Sequence, residues 1–392
     1  MYNYNETGGL PPDVVDGGIF SLGSWLLLLT PQSSHFYNTG YEILPTGIFS
    51  GPSTKRFLLS SNTGSGEDED ELANIAITPL GIVLCTHLSV DKLGRLAAQK
   101  KSWKGPMSVA VYLTSDQDEA EYQRFRSSYY YQANDVAFSI YREHNESIAH
   151  LYPHNILRNL AIENAQSDYV FSLDADFLPS ENTYHSLTSK LKNDNSFQES
   201  LQHQTLFILP VFALPQGVVR PPVTREELVS MYHNKSAMEW HYAPGHAKIY
   251  YKTWTANNRS SPNHTLMNDF SYFIEPNLEF EPYFLCYRPG LPKYWEAFRG
   301  FVLDKTSFTH ELALKGYEFR VLWDFFVVHL HHEAKGEAND RNGLANRNVD
   351  IWREEFTPYL SNKYQPKGIE ERWVYPRFRD YMRVAKQQLA ST

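Results

Sequence analysis

The chain has 392 residues, enough for one large domain or two modest ones, with 36 Lys and Arg against 45 Asp and Glu for a formal net charge of −9. That balance argues against a general nucleic-acid binder, which would show a basic excess, and the densest basic stretches, KSWKGP and RFRDYMR, read as solvated faces. Only two cysteines occur, Cys85 and Cys286, both in apolar runs. They read as buried free thiols and exclude a disulfide-dense scaffold.

Residues 1–59 are rich in Gly, Pro and Tyr and read as an irregular extension. Its most apolar stretch, IFSLGSWLLLLT, is too short to span a bilayer and follows Asp13 and Asp16, where a signal would carry positive charge. SSNTGSGEDEDEL, Ser60–Leu72, is a solvated acidic linker without the Gly and Glu spacing of a calcium loop. The organisation expected is therefore an extension and linker over 1–72, then one domain over 73–392. No stretch qualifies as a membrane span, so membrane attachment would need an anchor not evident in this sequence. Sequons at Asn5, Asn145, Asn234, Asn258 and Asn263 mildly favour a secretory location.

From Ala76 onward strand and helix patterns alternate. Strands are expected at Ala76–Ser89, Met107–Ser115, Val136–Glu143, Tyr169–Asp176 and Thr205–Leu214, with helices at Val90–Trp103, Glu119–Tyr131, Asn155–Gln166 and Thr183–Asn193. Apolar strands alternating with helices predict an α/β fold, a mostly parallel sheet with helices on both faces, whose ligands sit at the C-terminal ends of strands. Later come a helix with Thr224 as N-cap and Glu227 completing a capping box, an aromatic, loop-like stretch from Trp240 to Ser271, and a strand in FEPYFLCYR. A helix over Asp304–Tyr317, strands in YEFRVL and FFVVHLHH, and a mainly helical tail from Arg347 follow.

YVFSLDADFLPS, Tyr169–Ser180, ends a strand pattern on two carboxylates, Asp174 and Asp176. Alternate residues of an extended strand share a face, so both can aim at one point beyond the sheet. Convergent anions need a cation or a proton between them. A hard divalent ion such as Mn²⁺ or Mg²⁺, bound with open positions for substrate phosphates, meets that need; a helix-capping pair is the plainer alternative. FVVHLHHEAKG carries His329, His331 and His332, of which His329 and His331 share a strand face, and one imidazole completing a carboxylate shell is plausible chemistry.

The run YPHNILRNLAIENAQSDYVFSLDADFLP resembles glycosyltransferase family 49 in Tyr152, Pro153, Asn155, Leu157, Arg158 and Asn159, then Asp174, Asp176, Phe177, Leu178 and Pro179. THLSVDKLGRLAAQKKSWKGPMSVAVYL, GHAKIYYKTW, FEPYFLCYR, FRGFVLDKTSFTHELALKGYEFRVL and FFVVHLHH follow the family order, so the resemblance covers about residues 76–335.

The resemblance implies a GT-A fold. It implies inverting, metal-dependent transfer of a sugar, glucuronic acid in some members, from a nucleotide sugar such as a UDP sugar to a glycan or glycoprotein acceptor in the Golgi or secretory-pathway lumen. Asp174, Asp176 and His329 would hold Mn²⁺ (or Mg²⁺) against the diphosphate. Thr86, His87 and Leu88 would lie beside the nucleotide. Asn155 and Arg158, one helical turn apart, would join Asp174 in reaching the diphosphate or donor sugar. Asp304, at a helix start, would be the general base for the acceptor hydroxyl, or else that helix's N-cap.

The chain also departs from the family pattern. A glycine–phenylalanine–glycine–aromatic–asparagine–lysine run is here Gly300, Phe301, Val302, Leu303, Asp304 and Lys305, and Ala213 stands where a glutamate is common. Those positions leave the donor sugar open. Two rivals remain: an aspartyl-phosphate hydrolase, which wants Thr or Val where Phe177 stands, and a non-catalytic sugar- or partner-binding domain.

Overall fold

The computed structural model describes residues 81–127, 135–145, 147–216, 218, 220–240, 246, 249–257, 269–277, 279–329 and 341–367. The expected extension and linker, His331, His332 and the tail beyond 367 lie outside the described residues. The first part of the chain follows the expected alternation: β1 (Ile82–Ser89), α1 (Leu93–Trp103), β2 (Met107–Leu113), α2 (Asp116–Arg126), β3 (Val136–Arg142), α3 (His154–Glu163) and β4 (Tyr169–Ser172). These four strands pair in parallel in the order β3-β2-β1-β4.

Next come β5 (Phe177–Pro179), α4 (Thr183–Asn193), α5 (Asn195–Gln202), β6 (Thr205–Ile208), β7 (Val211–Ala213), α6 (Arg225–His233) and β8 (Met238–Glu239). They are followed by α7 (Tyr251–Ala256), β9 (Ser271–Ile274), β10 (Phe284–Tyr287), α8 (Asp304–Leu314), β11 (Glu318–Leu322), β12 (Val327–His329), α9 (Arg341–Ile351) and α10 (Thr357–Tyr364). The main sheet has eight strands in the order β3-β2-β1-β4-β10-β6-β11-β9, and a second sheet has four, β5-β12-β7-β8. The α/β class is as expected. The main sheet is mixed, because β10 lies antiparallel between β4 and β6, and β9 runs antiparallel to β11.

Of two strands expected to be continuous, one is divided between the sheets and the other stops short. The run Thr205–Leu214 breaks after Ile208 at Leu209 and Pro210. Proline has no N–H for the ladder, and the Pro210 carbonyl instead accepts from Val327 N of the second sheet at 2.8 Å. The run Tyr169–Asp176 stops at Ser172, and the Asp-Ala-Asp segment turns, with Phe177 N donating to Asp174 O at 3.2 Å. The DAD segment thus lies at the junction of the two sheets.

Both faces of the main sheet are covered, which is why its strands read as unbroken apolar runs. Val83 and Cys85 of β1 join a core with Leu157 and Ala161 of α3. Ile82 and Leu84 point the other way, to Leu96 and Trp103 of α1. Cys85 and Cys286 are buried free thiols, as their apolar context suggests. A third core forms under the C-terminal helices from Phe298, Val302, Leu303, Val349, Trp352 and Phe356. Each fully buried large side chain of this kind contributes about 1.5–3 kcal/mol. Thr224 caps α6 as expected, accepting from Glu227 N at 3.2 Å, while the Glu227 carboxylate reaches Val223 N at 2.8 Å, one residue off the reciprocal bond of a capping box.

The loop entering α8 is strained. Gly300, Val302 and Leu303 have φ of 66°, 83° and 66°. Left-handed backbone costs a residue with a Cβ about 1–2 kcal/mol, and a β-branched residue suits it least. The strain is held by burial, since the Val302 and Leu303 side chains are almost wholly enclosed. Val302→Gly and Val302→Ala both lose that packing, but only glycine is free in this region. Val302→Gly is therefore expected to be more stable than Val302→Ala by about 1 kcal/mol, the reverse of the usual order. Urea midpoints of the two variants decide it, and a more stable alanine variant would remove the strain argument.

Candidate active site

The site forms where β1, β4 and α3 meet the loop that precedes α8. β1 and β4 run parallel with Cys85 opposite Ser172, and Leu173 N continues the ladder to Cys85 O at 3.1 Å. This register sets His87 level with Asp174, and His87 Nε2 lies 3.3 Å from Asp174 Oδ1. The other ring nitrogen, Nδ1, is 3.1 Å from the Tyr152 hydroxyl. Burial pulls the His87 pKa down, more than the Asp174 contact raises it, so the ring is neutral at pH 7. Thr86 is buried and its hydroxyl has no hydrogen-bond partner among the described residues. Leu88 is a core side chain.

α3 presents a polar inner face. The Asn155 amide donates to Trp295 O and Asp304 O, each at 3.0 Å, and its oxygen accepts from Arg158 at 2.9 Å. Asn159 brackets Tyr294, donating to its carbonyl and accepting from its N–H, each at 2.9 Å. Both Asn155 N–H groups are thus used inside the protein, so this residue fastens the 294–304 segment. Arg158, only 4% exposed, reaches Asp304 Oδ2 at 2.7 Å and Asp174 Oδ1 at 3.6 Å. Burial alone would raise the Asp304 carboxyl, but Arg158 outweighs it and holds the group below the usual range. Asp304 is the first residue of α8 and accepts no capping bond; Leu303 occupies the cap position.

Asp174 is the hub. Its Oδ2 accepts from the Tyr283 hydroxyl at 2.9 Å and lies 2.8 Å from Lys305 Nζ, which also donates to the Tyr283 hydroxyl at 2.8 Å. Burial opposes ionisation here too, yet Lys305 and Arg158 keep the carboxyl well below its ordinary value. Asp176 pairs with Arg95 of α1. Gln99, fully buried on the same helix, fixes the turn between the aspartates by donating to Asp174 O at 2.9 Å and Phe177 O at 3.0 Å. His329 stands opposite Phe177 in the β5–β12 pair, one residue beyond Asp176 along the chain, and its ring packs on Trp240 and Phe177 at 3.9 and 4.9 Å between centroids.

Asp174, Asp176 and His329 therefore sit at adjoining strand ends, but among the described residues no three His, Cys, Asp or Glu side chains form a ready metal cage. The donor chemistry nonetheless fits a hard divalent ion. Two carboxylates, each about a fifth exposed, are already faced by cationic groups, Lys305 and Arg95. Sequence reasoning missed Lys305, Arg95, Gln99, Tyr283 and Glu281. Burial pushes the Glu281 carboxyl up to about 7, against the pull of Lys305. Its place two residues before Tyr283 in FEPYF was the available signal. The open surface cavity lined by Arg225, Glu226, Val229, Ser230, His233 and Asn234 shares no residue with this cluster.

Gln99→Leu keeps the volume but removes the donor to Phe177 O and leaves Asp174 O with the Phe177 N–H alone. It is expected to lower stability by about 1–3 kcal/mol in urea denaturation; no change would mean that the turn holds itself. The His154 ring, edge-on to His87, has its pKa lowered by burial from 6.5 to about 3. Between those values the unfolded chain binds the proton and the fold does not, so stability rises with pH. The contribution of neutral His154 is complete above the upper value and lost as pH falls toward the lower. His154→Gln should flatten the change in urea midpoint between about pH 7 and about pH 5, and an unaltered slope would assign the dependence to other groups.

Residues 123–365 match the family described as "Glycosyl-transferase for dystroglycan". The chain is 32% identical over 306 residues to the xylosyl- and glucuronyltransferase LARGE2s of Gallus gallus, covering 74% of this chain and 38% of that protein. It is 29% identical over 300 residues to the human xylosyl- and glucuronyltransferase LARGE1, covering 72% and 36%. The chain thus spans less than half the length of these relatives. Among solved structures, GalNAc-T7 with UDP, GalNAc and Mn²⁺ is similar at 10% identity and a TM-score of 0.40, covering 79% of this chain and 55% of that one. The match over more than half of its length makes this chain a member of glycosyltransferase family 49.

Proposed function

We propose that the chain is a GT-A-type, divalent-metal-dependent, inverting glycosyltransferase that moves a sugar from a nucleoside-diphosphate donor, such as a UDP sugar, to a glycan or glycoprotein acceptor. The observation that carries this reading is Asp174 at the C-terminal end of a central parallel strand, set among Arg158, Lys305, His87 and Tyr283. Ligands of α/β sheets bind at such ends, and a diphosphate requires concentrated positive charge.

Asp174, Asp176 and His329 would hold Mn²⁺ (or Mg²⁺), which when bound neutralises charge on the departing diphosphate. Thr86 and His87 on β1 would border the nucleotide, the Thr86 hydroxyl offering a buried polar contact. Arg158 is the fixed cation of the site, because Asp304 and Asn155 lock it in place. The proton of the acceptor hydroxyl needs a base whose protonation lies near neutrality. Two carboxylates are candidates for that role: Asp304 in the first turn of α8, tied to Arg158, and Glu281, whose carboxyl burial raises to about 7.

A location in the secretory lumen is proposed with it. It is supported by the exposed sequons at Asn145 and Asn234, each accepting a hydrogen bond from the N–H of the serine two residues on, at 3.1 and 3.0 Å. Among the described residues no helix is long and apolar enough to cross a membrane.

The test is nucleotide release from a panel of nucleotide sugars, neutral and uronic, with and without Mn²⁺. One donor is expected to be hydrolysed slowly in Mn²⁺, and Asp176→Asn to cut that release on the order of 100-fold or more. Absence of release from every donor, together with absence of nucleotide binding by calorimetry, would leave the binding-domain reading in its place.

A further inference from the structure

The two strand-end aspartates do not face open solvent. Each already holds a cation from another part of the fold, and the two cations differ from Arg158 in how they are held. Arg158 is 4% exposed and bound by Asp304, Asn155 and Asp174, so it has no freedom to move. Lys305 is 16% exposed in the first turn of α8 and, among the carboxylates of the described residues, pairs with Asp174. Arg95, a quarter exposed near the start of α1, pairs with Asp176. Both are long, flexible side chains at the rim of the site.

Tyr283 supplies a pivot. The Lys305 ammonium lies over its ring, 4.5 Å from the centroid, and donates to its hydroxyl at 2.8 Å. The same hydroxyl donates to Asp174 at 2.9 Å. Lys305 can therefore leave the carboxylate while keeping its contact with the ring.

We propose that Lys305 and Arg95 are resident counter-ions of the metal ligands, displaced when a divalent ion takes Asp174 and Asp176 and then turned onto the diphosphate of the donor. This deepens the transferase reading and rests on it. The charge logic favours the exchange. A divalent ion cannot share Asp174 with an ammonium 2.8 Å from its Oδ2 without strong repulsion, so metal and Lys305 compete for one carboxylate. A diphosphate arriving with the metal brings negative charge to the place where the two displaced cations need partners. Without substrate, the same cations offset the charge of the two carboxylates.

The exchange has a signature that a purely structural role lacks, because one substitution moves two affinities in opposite directions. Lys305→Met removes a competitor of the metal and a ligand of the diphosphate. Mn²⁺ alone, titrated by the electron paramagnetic resonance of the free ion, is expected to bind the variant about two- to fivefold more tightly than the natural protein. UDP in saturating Mn²⁺, measured by calorimetry, is expected to bind about tenfold more weakly.

Arg95→Met should repeat the pattern from the other aspartate, and Lys305→Arg should restore UDP binding. Arg95 is the more exposed of the two, so its variant keeps the test available should Lys305→Met misfold. Opposite shifts in either methionine variant support the exchange. Affinities that fall together, or that do not move, overturn it while leaving the transferase reading intact. Failure of the natural protein to bind either Mn²⁺ or UDP overturns both.

Discussion

The arginine at position 158 sets the terms for everything around it. It is buried on the inner face of α3 between two carboxylates, Asp304 at 2.7 Å and Asp174 at 3.6 Å. A buried cation of this kind is tolerable only with its partners in place, and removing one partner of such a pair typically costs about 3–5 kcal/mol. The pair therefore ties together three distant parts of the chain: α3, the end of β4, and the start of α8. Asn155 and Asn159 reinforce the same joint with hydrogen bonds to the 294–304 segment.

Electrostatics then divides the carboxylates of the site by job. Asp304 is the fixed counter-ion of Arg158. Asp174 is shared among Lys305, Tyr283, His87 and Arg158, a crowded position that favours its charged form despite burial. Asp176 pairs with Arg95. Glu281 has less positive charge to offset its burial, and its proton affinity stays high. Asp174, Asp304 and Glu281 thus differ in proton affinity through their neighbours rather than their chemistry.

The loop that delivers Asp304 and Lys305 shows how sequence and site constrain each other. Its backbone needs left-handed conformations at Gly300, Val302 and Leu303. Position 302 is where the family run carries its second glycine, and the valine here meets the same backbone demand by burying its side chain under α9 and its continuation. At Gly300 a side chain is not possible without movement, since an added Cβ would collide with Leu344. Local strain is a common cost of aiming charged side chains at a functional point, and it is held here by packing that the loop itself does not supply.

Much of this protein was legible in its residues. The alternation after Ala76 specified the parallel set β3-β2-β1-β4, because strands buried on both faces must be apolar throughout and their crossovers must be helices. The DAD segment after such a strand marked the end at which a ligand would sit, and the ordered motifs marked the family. What the sequence did not show depended on partners distant in the chain. The antiparallel insertion of β10 between β4 and β6 has no local signal, since pairing direction is set by which edges meet. The division of Thr205–Leu214 between two sheets followed from Pro210 and the strand that approached it.

The site shows the same limit. That Asn155 fastens a loop, that Asp304 neutralises Arg158, and that Lys305 and Arg95 stand on the two aspartates are outcomes of contacts between residues up to 149 positions apart. Residue types and spacing determined which chemistry this chain can hold. Which carboxylate received which cation was decided only by tertiary structure, because Coulomb energy depends on distance and burial, and neither is written along the chain.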